Sequence, residues 1–110
     1  MARQFDIACV AMYGDIEQMH VIFSEDPTCG KDNIWICPFA SEGGNLECLK
    51  YAIEIGGVLN EATIKMSSND VCTIYAVQQG CHYGEEMKRK VRDAYRRKHE
   101  EIMRQMTIGM

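Results

Sequence analysis

The 110-residue chain reads as an all-α protein of about three helix-pair units closed by one long helix. Three observations point there. Segments recur at fixed offsets, glycines punctuate helical patterns at corresponding places, and no segment carries the every-second-residue alternation of a half-buried strand.

The recurrences define the units. Gly14, Asp15, Ile16 and Glu17 return thirty residues later as Gly44, Asn45, Leu46 and Glu47. Cys48, Tyr51, Ala52 and Gly56 return twenty-four residues later as Cys72, Tyr75, Ala76 and Gly80. The units are expected to span about 4–32, 33–62 and 63–84, with a basic amphipathic helix over 85–110. The third unit is about six residues short, so either its first helix or its connection is truncated.

Within the first unit the pattern predicts helices over about 4–12 and 16–24, closed by Asp26-Pro27. In the middle unit a short helix near 36–42 ends at Gly43-Gly44. Pro38 is tolerated there because a first-turn N–H has no intrahelical partner to lose. A second helix follows over about 46–55, with Asn45 available as N-cap. Leu46, Leu49 and Ile53 fall on one face of it, at i, i+3 and i+7, and Gly56-Gly57 provides a left-handed stop. In the last segment Met87, Val91, Ala94, Tyr95, Ile102 and Met106 keep helical spacing, interrupted at Lys98. Glu85 and Glu86 favour its N-terminus through the macrodipole. This helix is expected to cap the stack in the place of a fourth unit's first helix.

Composition sets the setting. The chain is short enough for one domain, and no stretch is apolar for long enough to cross a bilayer. The beginning lacks a signal-peptide pattern, so the expected location is inside a cell, in the cytoplasm. Cysteines stand at 9, 29, 37, 48, 72 and 81. In a reducing compartment these are buried small hydrophobes, and none has the two-to-four-residue spacing of a structural zinc site. The closest approaches are Cys29/Cys37 and Cys72/Cys81-His82. No metal and no cofactor is expected. The net charge of −4 divides unevenly: residues 1–84 carry four basic and eleven acidic groups, and residues 85–110 carry eight basic and five acidic. The division implies an acidic body with a basic terminal element.

Residues 40–60, ASEGGNLECLKYAIEIGGVLN, resemble the ankyrin repeat, with Ala40, Gly44, Leu46, Glu47, Lys50, Gly56 and Asn60 at the family's offsets. The wording GNLECLKYAIEIG is similar to the divergent ankyrin repeats of giant DNA viruses of amoebae. The likeness spans roughly residues 5–84 and is strong only in the middle unit. It departs from the family at Trp35 and Pro38, in the short third unit, and in the lack of a capping segment before the first repeat. The resemblance implies a non-enzymatic protein–protein interaction scaffold that binds through its outward turns and first helices. One specific form is a minor structural component of a larger viral assembly, in host cytoplasm or virion. The partner-binding residues it points to are Lys31, Asp32, Asn33, Trp35, Glu61 and Tyr83, with Trp35 equally able to pack on a neighbouring turn.

The alternative is a nucleic-acid-binding accessory protein acting through the basic helix, with Lys88, Arg89, Arg92, Arg96 and Arg97 on phosphates. Two other readings of that cluster stay open: a solvated face balanced by Asp93, Glu100 and Glu101, or a face docked on the acidic body. Nothing points to catalysis. His20, His82 and His99 have no nucleophile motif beside them, acidic residues are scattered, and the glycine pairs lack a P-loop's strand and lysine. The eight methionines fill an irregular core or an adaptable surface.

Overall fold

Short polar side chains decide where the helices begin. The computed structural model describes residues 3–108, and it is all-helical. Its helices are α1 Arg3–Tyr13, α2 Ile16–Glu25, α3 Ile36–Glu42, α4 Leu46–Glu54, α5 Glu61–Met66, α6 Asp70–Gln78 and α7 Glu85–Ile108. Among the described residues there is no strand. Asp15 accepts a hydrogen bond from the Gln18 N–H at 3.0 Å, Asn45 from Cys48 at 2.9 Å and Asn69 from Cys72 at 2.9 Å. Each satisfies a donor that the first turn of α2, α4 or α6 would otherwise leave without a partner.

The helices form pairs because the turns are tight. Two or three residues join α1 to α2, α3 to α4 and α5 to α6, so the members of each pair lie back to back. Gly44, at φ +70, carries the chain out of α3 in a conformation that a Cβ would penalise. Beside it, a Cβ on Gly43 would stand 2.0 Å from the Met12 carbonyl oxygen. The exit of α3 therefore meets the end of α1 backbone to backbone.

The pairs stack. The first helices α1, α3 and α5 lie side by side, α4 lies against α6, and α7 packs along α6 and meets α5. Ile7, Ala8 and Ala11 of α1, Met19 of α2, Ile36 and Ala40 of α3, and Leu49 and Ala52 of α4 are wholly buried in one core. Ile64, Ala76, Cys81 and Val91 form a second core under Leu59, Tyr83 and Met87. Small alanines at the helix contacts permit the close approach. The six-residue shortfall of the third unit lies mainly in its connection. Residues 55–60 replace the longer connection 26–35, while each helix of the later stretch loses one residue.

The terminal helix departs most from expectation. Its 24 residues make a rod of about 36 Å, whereas the nine-residue α6 beneath it is about 14 Å long. Met87, Val91 and Ala94 pack inward, but residues 95–107 are all exposed. Tyr95, Ile102 and Met106, expected on the buried face, are 38%, 46% and 62% exposed. The helix outlasts its support, and the molecule measures 51 × 33 × 18 Å. No helix among the described residues is long and apolar enough to cross a membrane.

Leu49 tests the packing. It is fully buried between the pairs, and Leu49→Ala should cost about 2–5 kcal/mol, the range for a leucine whose cavity cannot collapse. Urea unfolding of parent and variant measures it, and an unshifted midpoint would remove Leu49 from the core.

Candidate partner-binding surface

The surface is built on the long connection between α2 and α3. Asp26 starts it, its Oδ1 accepting from the Thr28 N–H at 3.1 Å and the Thr28 hydroxyl at 2.6 Å. Asn33 ends it. This side chain has no solvent exposure, and its Nδ2 donates to the carbonyls of Gln4 and Cys29, both at 2.9 Å. Its Oδ1 accepts from the Trp35 N–H at 2.9 Å and the Ile36 N–H at 3.1 Å. Two donors and two lone pairs are thus all engaged. Asn33, expected at a partner interface, instead binds the connection to α1 and to the first turn of α3. Its whole hydrogen-bonding capacity is internal.

The residues around Asn33 do face outward. Lys31 and Asp32 are exposed at the tip. Asp32 takes φ +55 and donates its N–H to the Gly56 carbonyl at 3.1 Å, while the Asn33 carbonyl accepts from the Val58 N–H at 2.9 Å. Successive connections are thereby stitched together. Trp35 follows, 41% exposed, with its ring edge-on to Phe5 at 5.9 Å and 88°. Phe5, 52% exposed, lies edge-on to Phe39 at 5.8 Å and 74°. With the exposed Ile34, these rings make an aromatic ridge across α1 and α3. Such edge-to-face pairs add about 0.5–1.5 kcal/mol beyond burial and hold the rings in register.

Phe5, Ile34 and Phe39 escaped the sequence reading. A signal for Phe5 was present: it precedes Trp35 by the same thirty residues that separate Gly14 from Gly44. The other named residues fall elsewhere. The Glu61 carboxylate accepts from the Gly84 N–H at the start of α7, where helix-dipole attraction favours a negative charge. Tyr83 is half-buried over the second core. Both serve the junction of α5 and α7 and stand apart from the ridge.

The basic helix resolves residue by residue. Arg97 forms a two-pronged bond to Asp70 at 2.6 and 2.8 Å, and the Lys90 ammonium donates to the carbonyls of Lys65 and Ser67, both at 2.9 Å. These two clamp α7 to the body. Lys88 pairs with Glu85 at 2.6 Å, Arg89 reaches Asp93 at 3.9 Å, and Arg96 reaches Asp93 and Glu100 at 3.7 and 4.0 Å. Arg92 has no ion pair among the described residues.

Two grooves remain. One of about 310 Å³ lies between α6 and α7, lined by Val71, Ile74, Arg97, Lys98 and Glu101. The other, about 530 Å³, lies between α2 and α4, where His20 stacks on Tyr51 at 4.4 Å between Glu47 and Glu54. Among the described residues no three His, Cys, Asp or Glu side chains gather as a metal site. Five of the six cysteines are buried, and desolvation pushes the Cys37 thiol up to about 12, where it stays protonated at neutral pH. Compared with described protein families, curated proteins and solved structures, the chain matches none.

Two measurements follow from these bonds. Asn33→Ala strips partners from buried groups on three segments, and should cost roughly 3 kcal/mol by the desolvation of unpaired backbone groups. Equilibrium unfolding reads it, and a cost within error of zero would dissolve the clip. The second concerns Asp70, whose carboxyl the hydrogen bond from Arg97 holds below the usual value of about 3.9. A depressed folded-state pKa stabilises above the unfolded value and is lost as pH falls through the folded one. Asp70→Asn should therefore lower the melting temperature slightly at neutral pH, and parent and variant should converge in strong acid.

Proposed function

We propose that the chain is a non-enzymatic protein-binding scaffold, a short ankyrin-like stack of helix pairs that presents a rigid face to a protein partner. The observation that carries this reading is the aromatic ridge of Phe5, Trp35 and Phe39 on the first-helix side. Burying two large rings within the fold would have stabilised it, at about 25 cal/mol per Å². Their exposure leaves apolar area for a partner to cover, and tryptophan is enriched among the residues that dominate binding energies. Asn33 locks the backbone beneath the ridge, so little ordering entropy is lost on docking. A place within a larger assembly suits so small a stack, because a bound partner stabilises the folded state by mass action.

The alternative of nucleic-acid binding receives less support from the basic helix. Arg97 and Lys90 are engaged with the body, and Lys88, Arg89 and Arg96 have acidic neighbours along the helix.

The test is capture from the native source with parent, a Phe5→Ala/Trp35→Ala variant and an Arg89→Gln/Arg92→Gln/Arg96→Gln variant. A protein captured after nuclease treatment, held by the arginine variant and weakened at least tenfold by the ridge variant, supports the scaffold. Capture that nuclease abolishes and only the arginine variant loses would put nucleic acid in its place. Trp35 is the chain's single tryptophan, so its fluorescence should shift when the purified partner is added.

A further inference from the structure

We infer that the free end of α7 docks into the groove between α2 and α4 of a second copy of this chain, joining copies head to tail.

The donor is a helix end without support. The groove beside α6 ends at Glu101, and residues 102–108 extend beyond it for about 10 Å. At 100° per residue, Tyr95, Ile102 and Met106 fall within about 40° of one another and form one exposed apolar stripe. Lys98 borders the stripe on one edge, and Arg92 and Arg96 border it on the other. Arg92 and Lys98 have no ion pair among the described residues, and Arg96 reaches its nearest acids only at 3.7 and 4.0 Å. Two such stripes would not pair with each other, because both rims are basic and would face like charge. The complementary surface must be apolar at its floor and acidic at its rim.

The groove between α2 and α4 has that character. Ile16 and Tyr51 line it, with His20 stacked on the tyrosine ring. Glu47 and Glu54 stand along α4, both exposed and without an ion pair among the described residues. They are two helical turns apart, about 10.5 Å. Lys50 between them leans over the Tyr75 ring, 5.6 Å from its centroid. The ten and nine residues of α2 and α4 give the groove walls about 14–15 Å of length, enough to seat the free helix end. An amphipathic helix laid into an apolar groove is a recurrent recognition mode.

The same chain cannot satisfy the match. Arg97 on Asp70 and Lys90 on the carbonyls of Lys65 and Ser67 clamp α7 as a single rod. Its end would have to bend back past α6 to reach its own α2/α4 groove. The contact therefore forms between molecules, through two different patches. Such a heterologous contact leaves each copy with one free helix and one free groove, and it propagates into rings or filaments.

Sedimentation velocity on the full chain tests this. The parent, of 12.5 kDa, should grow in average mass with concentration at low salt and return toward monomer as salt rises. Ile102→Glu/Met106→Glu disables the helix end, and Glu47→Lys/Glu54→Lys disables the groove. All four positions are exposed, so circular dichroism should show both variants folded. Each variant alone should be monomeric. Mixed at equal concentration they should form a dimer and nothing larger, because the one intact helix meets the one intact groove. A parent that stays monomeric at high micromolar concentration and low salt overturns the proposal. So does a variant that still self-associates, or a mixture that stays monomeric.

Discussion

The buried amide of Asn33 is the constraint on which the arrangement of the units depends. A primary amide can engage four partners, and this one reaches three segments at once: α1 through Gln4, the connection through Cys29, and the start of α3 through Trp35 and Ile36. Its main-chain carbonyl reaches a fourth segment by accepting from Val58. Helix pairs joined only by apolar contact can slide, because burial is proportional to area and indifferent to direction. A fully satisfied polar clip has one geometry, and a displacement strands buried donors and acceptors at a cost in each. The remaining asparagines repeat the device more weakly. Asn69 caps α6 and donates to the Gly44 carbonyl at 2.9 Å, and Asn60 donates to the Ile34 carbonyl at 3.3 Å. Every asparagine in the chain stands just before a helix, and three of the four also tie the start of one helix pair to the preceding pair or its connection.

That clip also explains why large rings can remain at the surface. Phe5 and Trp35 sit on the two segments that Asn33 joins, so their spacing is set by hydrogen bonds beneath them. Rings held this way keep a defined shape while partly exposed. The core under them is made of small and medium side chains, above all alanine and cysteine, which bring the helices close and leave no room inside for the aromatics.

Charge is arranged with a similar division of labour. The body is acidic and α7 is basic, yet among the described residues two of its cations, Lys90 and Arg97, bind the body directly. Lys90 takes the carbonyls at the end of α5, where the helix dipole favours a cation, and Arg97 takes Asp70 at the start of α6. The body lies along α7 from Met87 to Glu101 and leaves the remainder of the rod projecting. Among the described residues Glu47 and Glu54 of α4, and Arg92 and Lys98 of α7, have no ion pair, which is the electrostatic basis for association between copies.

Local order determined most of the secondary structure. The glycines after α1, α3, α4 and α6, the asparagines before α3, α4, α5 and α6, and the 3.6-residue apolar spacing depend on neighbours within a turn or two. The bounds of α1 to α4 and the cap at Asn45 were therefore legible in the chain. The roles of individual residues were decided by contacts across 25–30 residues. Asn33 and Trp35 are separated only by Ile34, yet one is wholly buried and the other exposed, because α1 and the connection enclose the first while the second meets the edge of Phe5. Likewise the apolar spacing of α7, interrupted at Lys98, resumes through Ile102 and Met106, so the sequence reads as a buried face where the helix is exposed. That point is set by the length of α6 and by where Asp70 meets Arg97, quantities that exist only once the helices have packed.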